Sequence, residues 1–185
     1  MKRILCRAAL CLLTALPLSF VPGFSVLAAP AKPPAVGASA QNPTITVPDP
    51  KRPGKLQLLA HSREIHGVST EGGFSGTFTK LYAQLYQLGK ASAILTAPKA
   101  VASSRQGIVT VTATGGVVAK SLTIPGTTLT ADKMVWYSGQ DKIVATGHVV
   151  YKDGKTGLRL TGPWGIAHTQ IQSVDMGPGQ ASARL

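Results

Sequence analysis

The sequence predicts an all-β domain whose strands form an antiparallel sandwich, barrel or rolled sheet. Three observations support this class. Apolar and polar residues alternate along most of the chain, as in half-buried strands, and no convincing helical pattern is present. Gly, Pro or Asp turns interrupt the alternation at intervals of about ten residues. Two short phrases also recur at a period of roughly thirty residues, which indicates one small β unit stacked on copies of itself.

The two phrases alternate along the chain. LTAPK at residues 95–99 returns as LTADK at 129–133 and, altered, as LTGPW at 160–164. Between these copies, ATGGVV at residues 113–118 returns as ATGHVV at 145–150. A stacked repeat presents an extended surface or groove, so we expect function to reside there rather than in a cluster of catalytic side chains.

Three residues of these phrases predict local features of the backbone. Gly115 and Gly147 occupy equivalent positions, which favours a bulge or bend that curls the sheet; close approach to a ligand is the alternative. Pro163 has no N–H to donate to a ladder, so we expect its strand to lie at an edge of the sheet or to end there.

The predicted organisation begins before the repeat. Residues 29–54 are rich in Pro and Ala and predict an extended linker, within which residues 44–47 are a candidate short strand. The β domain is predicted over residues 55–176, and residues 177–185 are predicted to be a flexible tail.

Within the domain the strands follow one another. Residues 74–83 alternate, and residues 81–88 suit either a helix or a strand; we favour a strand because the repeat begins directly afterwards. Turns are predicted at residues 125–126 and 138–141, and the Asp-Gly pair at 153–154 is the strongest hairpin signal. The last strand candidates are residues 166–169 and 171–174.

Odd-numbered positions form the predicted dry face of these strands. Trp136 falls on the even-numbered face, and we interpret both Trp136 and Trp164 as packing anchors rather than binding platforms. The candidate lining of an apolar groove is Val109, Val111, Ala113, Val117, Leu129, Ile143, Ala145, Val149, Leu158 and Leu160.

The N-terminus predicts an export signal over residues 1–28. A positive start precedes an apolar stretch interrupted by Pro17, and small residues permit cleavage after Ala28; a retained anchor is the alternative. We therefore expect a periplasmic protein. Cys6 and Cys11 both lie in the signal, which excludes disulfides, thiol catalysis and zinc–thiolate sites from the mature chain.

The chain is poor in catalytic material and rich in positive charge. No two acidic residues are spaced to form a carboxylate pair, and the histidines lack the convergence that zinc requires. We thus expect no enzyme activity, no metal and no cofactor. The net charge is +12, which favours anionic surfaces as partners. The basic residues are scattered, without the aromatic-flanked stripe that binds bases, so nucleic acid is not expected.

The repeat resembles that of the OstA-like (LptA-type) family of periplasmic lipopolysaccharide-transport proteins. The family pattern is small-x-Gly-x-Val, a turn, then Leu-x-Ala-Asp-x-x-x-x-Tyr. Here it reads ATGGV at residues 113–117 and LTADKMVWY at 129–137, and a second copy opens at 145–149. The resemblance extends from about residue 94 to residue 162 and, more weakly, back to residue 56.

This resemblance implies a rolled antiparallel sheet, a β-jelly roll or β-taco, whose apolar interior holds acyl chains. It further implies a non-enzymatic carrier or bridge in lipopolysaccharide export to the outer membrane. The partners would be lipopolysaccharide or a similar anionic amphiphile and other OstA-like domains, including copies of this chain, paired through edge strands. A membrane-tethered LptC-like component and a structural or adhesive β-repeat module without a lipid groove remain the alternatives.

Overall fold

The computed structural model of this protein describes residues 36–70, 73–178 and 181–182. The predicted export signal, residues 1–28, lies outside the described residues. Across the described ranges, no helix has the length and apolar character needed to cross a membrane.

Within these described ranges, twelve β-strands form one sheet in which every neighbouring pair is antiparallel. The strands are β1 (Val36–Gln41), β2 (Thr44–Pro48), β3 (Leu56–His61), β4 (Glu64–Thr70), β5 (Gly73–Gln87), β6 (Lys90–Arg105), β7 (Ile108–Ser121), β8 (Thr128–Tyr137), β9 (Lys142–Lys152), β10 (Arg159–His168), β11 (Val174–Met176) and β12 (Ala181–Ser182). In the same ranges the one helical element is a 3₁₀ turn at Ser138–Gln140. The all-β class and the single rolled sheet are confirmed.

The long strands β5 to β10 are each interrupted near mid-length. The ladder register shifts at residues 96–99 of β6, 114–117 of β7, 130–133 of β8 and 162–164 of β10. Because the strands are neighbours, these interruptions lie side by side. We call this line the corner; it comprises residues 80, 97–98, 115–116, 131–132, 147–148 and 163.

The extra residues at the corner belong to β7 and β9. Gly115 and Gly116 have φ angles of 90° and 86°, and Gly147 and His148 have φ angles of 74° and 43°. One extra residue in the left-handed region bends its strand and increases the local twist, and glycine adopts that conformation without steric cost. The bulge interpretation of Gly115 and Gly147 is therefore confirmed.

The corner folds the sheet back on itself. A straight strand of 16 residues such as β6 would span roughly 50 Å. Yet Leu88 and Ile108, which flank opposite ends of β6, line the same pocket. The strand must therefore turn back at the corner, so that its two halves belong to two facing layers.

Each layer contains half of every long strand. The back layer holds β1, β4, β11 and residues 73–79, 99–105, 108–114, 133–137, 142–146 and 164–168. The front layer holds β2, β3, β12 and residues 81–87, 90–97, 117–121, 128–131, 149–152 and 159–162. The long side opposite the corner, where the hairpin turns of both layers meet, we call the mouth.

The corner also changes which residues face inwards. In β8 the buried positions are odd before the bend, Leu129 and Ala131, and even after it, Met134 and Trp136, because two successive residues there point to solvent. Trp136 is only 2% exposed, and its Nε1 donates to Thr169 Oγ1 at 3.0 Å. The assignment of Trp136 to the wet face is thus wrong, whereas its interpretation as a packing anchor is confirmed.

The N-terminal boundary of the sheet differs from the prediction. β1 and β2 lie within the predicted linker, residues 29–54, and pair with β4 and β3. The linker prediction is therefore wrong for β1 and β2, although the candidate strand at residues 44–47 matches β2. The prolines are tolerated because Pro43 lies between the strands and Pro48 ends an edge strand, where a missing N–H removes little of the ladder.

The C-terminal boundary differs as well. β10 continues through Pro163 to His168, and β11 and β12 cover its far side, so the expectation of an edge or an end at Pro163 is wrong. The ladder is already interrupted at this bulge, and the missing N–H therefore costs no bond. Ala181–Ser182, within the predicted tail, pair with β10, while residues 179–180 and 183–185 lie outside the described part of the chain.

The last predicted strand is displaced by a few residues. A turn at residues 169–170 is closed by Ile171 N, which donates to His168 O at 2.8 Å; Ile171 itself has a φ of 53°, and pairing resumes only at Val174. The strand at residues 81–88 is confirmed, because β5 runs to Gln87.

Candidate functional site

The predicted groove residues converge in the interior of the roll. Strands of both layers contribute them, and all except Leu158 belong to one apolar cluster or pack against it. Eight are no more than 1% exposed: Val109, Val111, Ala113, Val117, Leu129, Ile143, Ala145 and Val149. Leu160 is half-buried against this cluster, and Leu158 is half-buried in the β9–β10 loop. In this structure the interior is packed with the protein's own side chains, so contact between these residues and a lipid stays a prediction.

The interior loses its cover at both ends of the roll. At the N-terminal end Ile45, Ile65 and Phe74 are only half-buried and line a pocket of 180 Å³ whose walls are mainly apolar. At the other end Val174 and Met176 are likewise half-buried against the core. The apolar cluster therefore extends from one end of the sheet to the other.

The same two ends carry the unpaired strand edges. Among the described residues, β1 and β2 pair on one side only at the N-terminal end, as do β11 and β12 at the C-terminal end. Exposed edges present free N–H and C=O groups to which another strand can pair. Each end therefore combines apolar surface with backbone hydrogen-bonding capacity in both layers.

Hydrogen bonds between the layers hold the mouth closed. Gln57 Nε2 donates to Gly107 O at 2.7 Å and also to Pro48 O. Ser121 Oγ donates to Gln170 O at 2.6 Å. The Gln57–Pro48 bond stays within the front layer, whereas the Gln57–Gly107 and Ser121–Gln170 bonds each link chain segments that lie far apart in sequence. Separation of the layers along the mouth would break the latter two bonds while leaving the corner intact.

Positive charge lies on the outer surfaces of both layers. The ladder registers place exposed Lys99 and Lys133 on either side of Thr114 in the back layer, close to the corner. In the front layer exposed Lys152 lies beside Arg159, across one strand from Lys120. Cross-strand neighbours point to the same face of a sheet, so these cations form two outward-facing groups that can contact anionic headgroups.

The acidic and histidine side chains have local roles where contacts are visible. The described ranges contain no group of three or more His, Cys, Asp or Glu residues that could hold a metal. His148 Nδ1 lies 2.7 Å from Asp132 Oδ2 on the corner, where both side chains are exposed. The pKa of Asp153 is lowered by hydrogen bonds from Lys155 N–H and Thr156, so this carboxylate stabilises the β9–β10 turn.

One polar pocket was not predicted by any pattern in the sequence. A cavity of 380 Å³ at the mouth is lined by Arg52 of the β2–β3 loop, Gln87 at the end of β5, and Ser138 and Asp141 of the β8–β9 turn. These residues form no sequence motif, because they lie far apart along the chain and only the folding back of the long strands brings them together. Gly107 fits this close approach, because a Cβ there would lie 2.8 Å from the Pro50 ring.

Comparison with known proteins adds no family assignment: neither a protein-family model nor a curated protein matches this chain.

Proposed function

We propose that this protein binds the acyl chains of an anionic amphiphile, of the lipopolysaccharide type, between its two layers and acts as a non-enzymatic carrier or bridge in the cell envelope. One observation carries the proposal: an apolar interior runs the length of a folded sheet and is uncovered at both ends. The resemblance of the repeat to OstA-like proteins supports the same function. Its setting would be the periplasm, reached through the predicted export signal.

Acyl chains would enter by separation of the layers at the mouth. The hydrogen bonds of Gln57 and Ser121 that join the layers each contribute about 0.5–1.5 kcal/mol. Burial of a twelve-carbon chain gains roughly 10 kcal/mol at ~0.8 kcal/mol for each CH₂. This gain exceeds the cost of a few mouth bonds, provided that the lipid replaces the contacts that the two layers make with each other.

The ends and the outer faces supply the remaining requirements of a bridge. Edge strands β1 and β2 of one domain can pair with β11 and β12 of the next, which would join the apolar interiors. Lys120, Lys152 and Arg159 on the front layer can contact the phosphates of a bound amphiphile through charge-assisted hydrogen bonds. The partners proposed are therefore the amphiphile itself and like domains.

A second candidate is a structural β-repeat module without a lipid groove. The nearly complete burial of Val111, Leu129 and Ile143 favours it, because a packed core needs no ligand. A tethered component of the same export system would share the lipid-binding interior and differ only at its N-terminus.

Site-specific photocrosslinking distinguishes these candidates. A diazirine-bearing aliphatic amino acid, close in size to the native side chain, is introduced at Ile143 or Val149 in the interior. The matched control is Val101, which is 49% exposed on the outer face of the back layer. Crosslinks to lipid extracted with the protein are expected from the two interior positions and not from Val101. Efficient photolysis with only intramolecular crosslinks from the interior would refute the lipid carrier and favour the structural module.

A further inference from the structure

The mouth pocket contains two buried polar atoms that the fold leaves without hydrogen bonds. Within the described residues, Arg52 Nη1 and Gln87 Oε1 are shielded from solvent and have no hydrogen-bond partner. Arg52 Nη1 does lie 3.6 Å from Asp49 Oδ2, which is an ion-pair distance rather than a hydrogen bond. An unsatisfied buried donor or acceptor destabilises the folded state, so each such atom favours a bound partner. Both atoms belong to residues that line the same cavity.

The two atoms require opposite partners. The Arg52 guanidinium donates only, and it binds carboxylates and phosphates well. The Gln87 carbonyl oxygen accepts only, and the Gln87 Nε2 group is already engaged by Asp141 Oδ2. A ligand that satisfies both must therefore carry an acceptor oxygen, for which an anionic group pairs best with the guanidinium, and at another point a hydroxyl or similar donor.

Other groups of the pocket fit the same pattern. Ser138 Oγ accepts from Val109 N at 2.8 Å, which leaves its O–H free to donate to a ligand oxygen. The Asp141 carboxylate has further acceptor capacity and suits a ligand hydroxyl. Leu88 and Ile108 are 67% and 55% exposed and form an apolar rim on the two sides of the mouth.

The size of the pocket limits the ligand to a small molecule. A volume of 380 Å³ lies at the lower end of the roughly 300–1,000 Å³ range of ligand sites. We propose that the mouth pocket is a binding site for a small hydroxylated anion, of the hydroxy-acid or sugar-acid class. The anionic group pairs with Arg52, and the hydroxyls donate to Gln87 and Asp141. The site is separate from the apolar interior, and this proposal goes beyond acyl-chain binding.

Three probes with the same six-carbon chain separate the two requirements. Gluconate carries both a carboxylate and hydroxyls, sorbitol carries the hydroxyls alone, and hexanoate carries the carboxylate alone. Binding to the full chain is measured by titration calorimetry and by NMR shifts of the pocket residues. Saturable binding of gluconate is expected, with an affinity at least about tenfold above that of sorbitol or hexanoate, because sorbitol lacks the carboxylate and hexanoate lacks the hydroxyls.

Two substitutions assign the contacts, and a third serves as the control. Arg52→Gln should weaken gluconate binding by about tenfold or more, and Gln87→Leu should weaken gluconate binding while leaving hexanoate binding unchanged. Arg63→Gln is the matched control, because Arg63 is exposed on the corner side of the roll, away from the mouth. Equal losses from Arg52→Gln and Arg63→Gln would mean non-specific charge attraction and would overturn the proposal. Absence of saturable gluconate binding would overturn it too, while lipid crosslinking from Ile143 would be unaffected by either outcome.

Discussion

Substitution of Gly147 by alanine should destabilise the fold more than the same change at Gly116. Both glycines lie on the corner with similar positive φ angles, 74° and 86°. At Gly147 an added Cβ would lie 2.9 Å from Asp132 Cβ and 3.0 Å from its Cγ, closer than real Cβ contacts permit. At Gly116 the position of an added Cβ has nothing within 4 Å. The pair therefore separates backbone strain from steric crowding.

The two effects have different sizes. A left-handed alanine costs roughly 1–2 kcal/mol, and this cost applies to both variants. At Gly147 the neighbouring strand must also shift, which adds about 1–3 kcal/mol if it resembles other overpacked sites. We thus expect a loss of about 2–5 kcal/mol for Gly147→Ala and about 1–2 kcal/mol for Gly116→Ala.

Urea unfolding followed by tryptophan fluorescence measures this difference, because Trp136 reports on the core. The midpoint should fall further for Gly147→Ala, with an unchanged slope m. In an Asp132→Ala background, part of the extra cost should disappear, since the Asp132 Cγ is removed and only its Cβ contact remains. Equal midpoints for Gly147→Ala and Gly116→Ala would refute the reasoning that β8 and β9 are in tight contact at the corner.

Three further predictions concern single contacts. Trp136→Phe should cost about 1–3 kcal/mol because Thr169 Oγ1 loses its buried donor, and adding Thr169→Val should recover part of that loss; additive losses in urea unfolding would contradict the assignment. Gln57→Leu should destabilise the mouth by about 1–3 kcal/mol, because the carbonyls of Pro48 and Gly107 lose their donor, and it should speed amide hydrogen exchange at Val109. Unchanged exchange at Val109 would show that other contacts hold the mouth closed. The pKa of Asp153 is lowered on folding, so the protein should be more stable than its Asp153→Ala variant above the ordinary Asp pKa of 3.8, and this difference should decline as the pH falls through the lower folded pKa. A stability difference that grows on acidification would contradict the lowered pKa.

Local pattern was enough to predict the fold class and most strands. Alternation identifies β5 and β7 because a strand exposes its two faces in turn, and the glycines at residues 115 and 147 mark bulges because few other residues adopt a left-handed backbone freely. The sequence-based prediction of strands failed where pairing with a distant strand, rather than local pattern, stabilises the element. The strand β1 lies in a Pro- and Ala-rich segment without clear alternation, and only its pairing with β4 stabilises it.

Alternation alone predicted the inward-facing residues on both sides of the corner in some strands and on one side only in others. Odd positions are correct in β7 and β9, whose extra residue restores the parity, and fail beyond the bend in β8, where Trp136 is buried. A register shift depends on the neighbouring strands, so the sequence of β8 alone carries no sign of it.

What the sequence by itself determined was a set of strands, their turns and a repeated bend. These features are local, since they depend on propensity, periodicity and the permitted φ angles of a few residues. Tertiary structure alone decided which strand halves face each other, that the interior is packed yet uncovered at its ends, and that Arg52 and Gln87 share a pocket. The physical reason is that the corner brings together segments separated by many residues, and such contacts leave no periodic trace in the sequence.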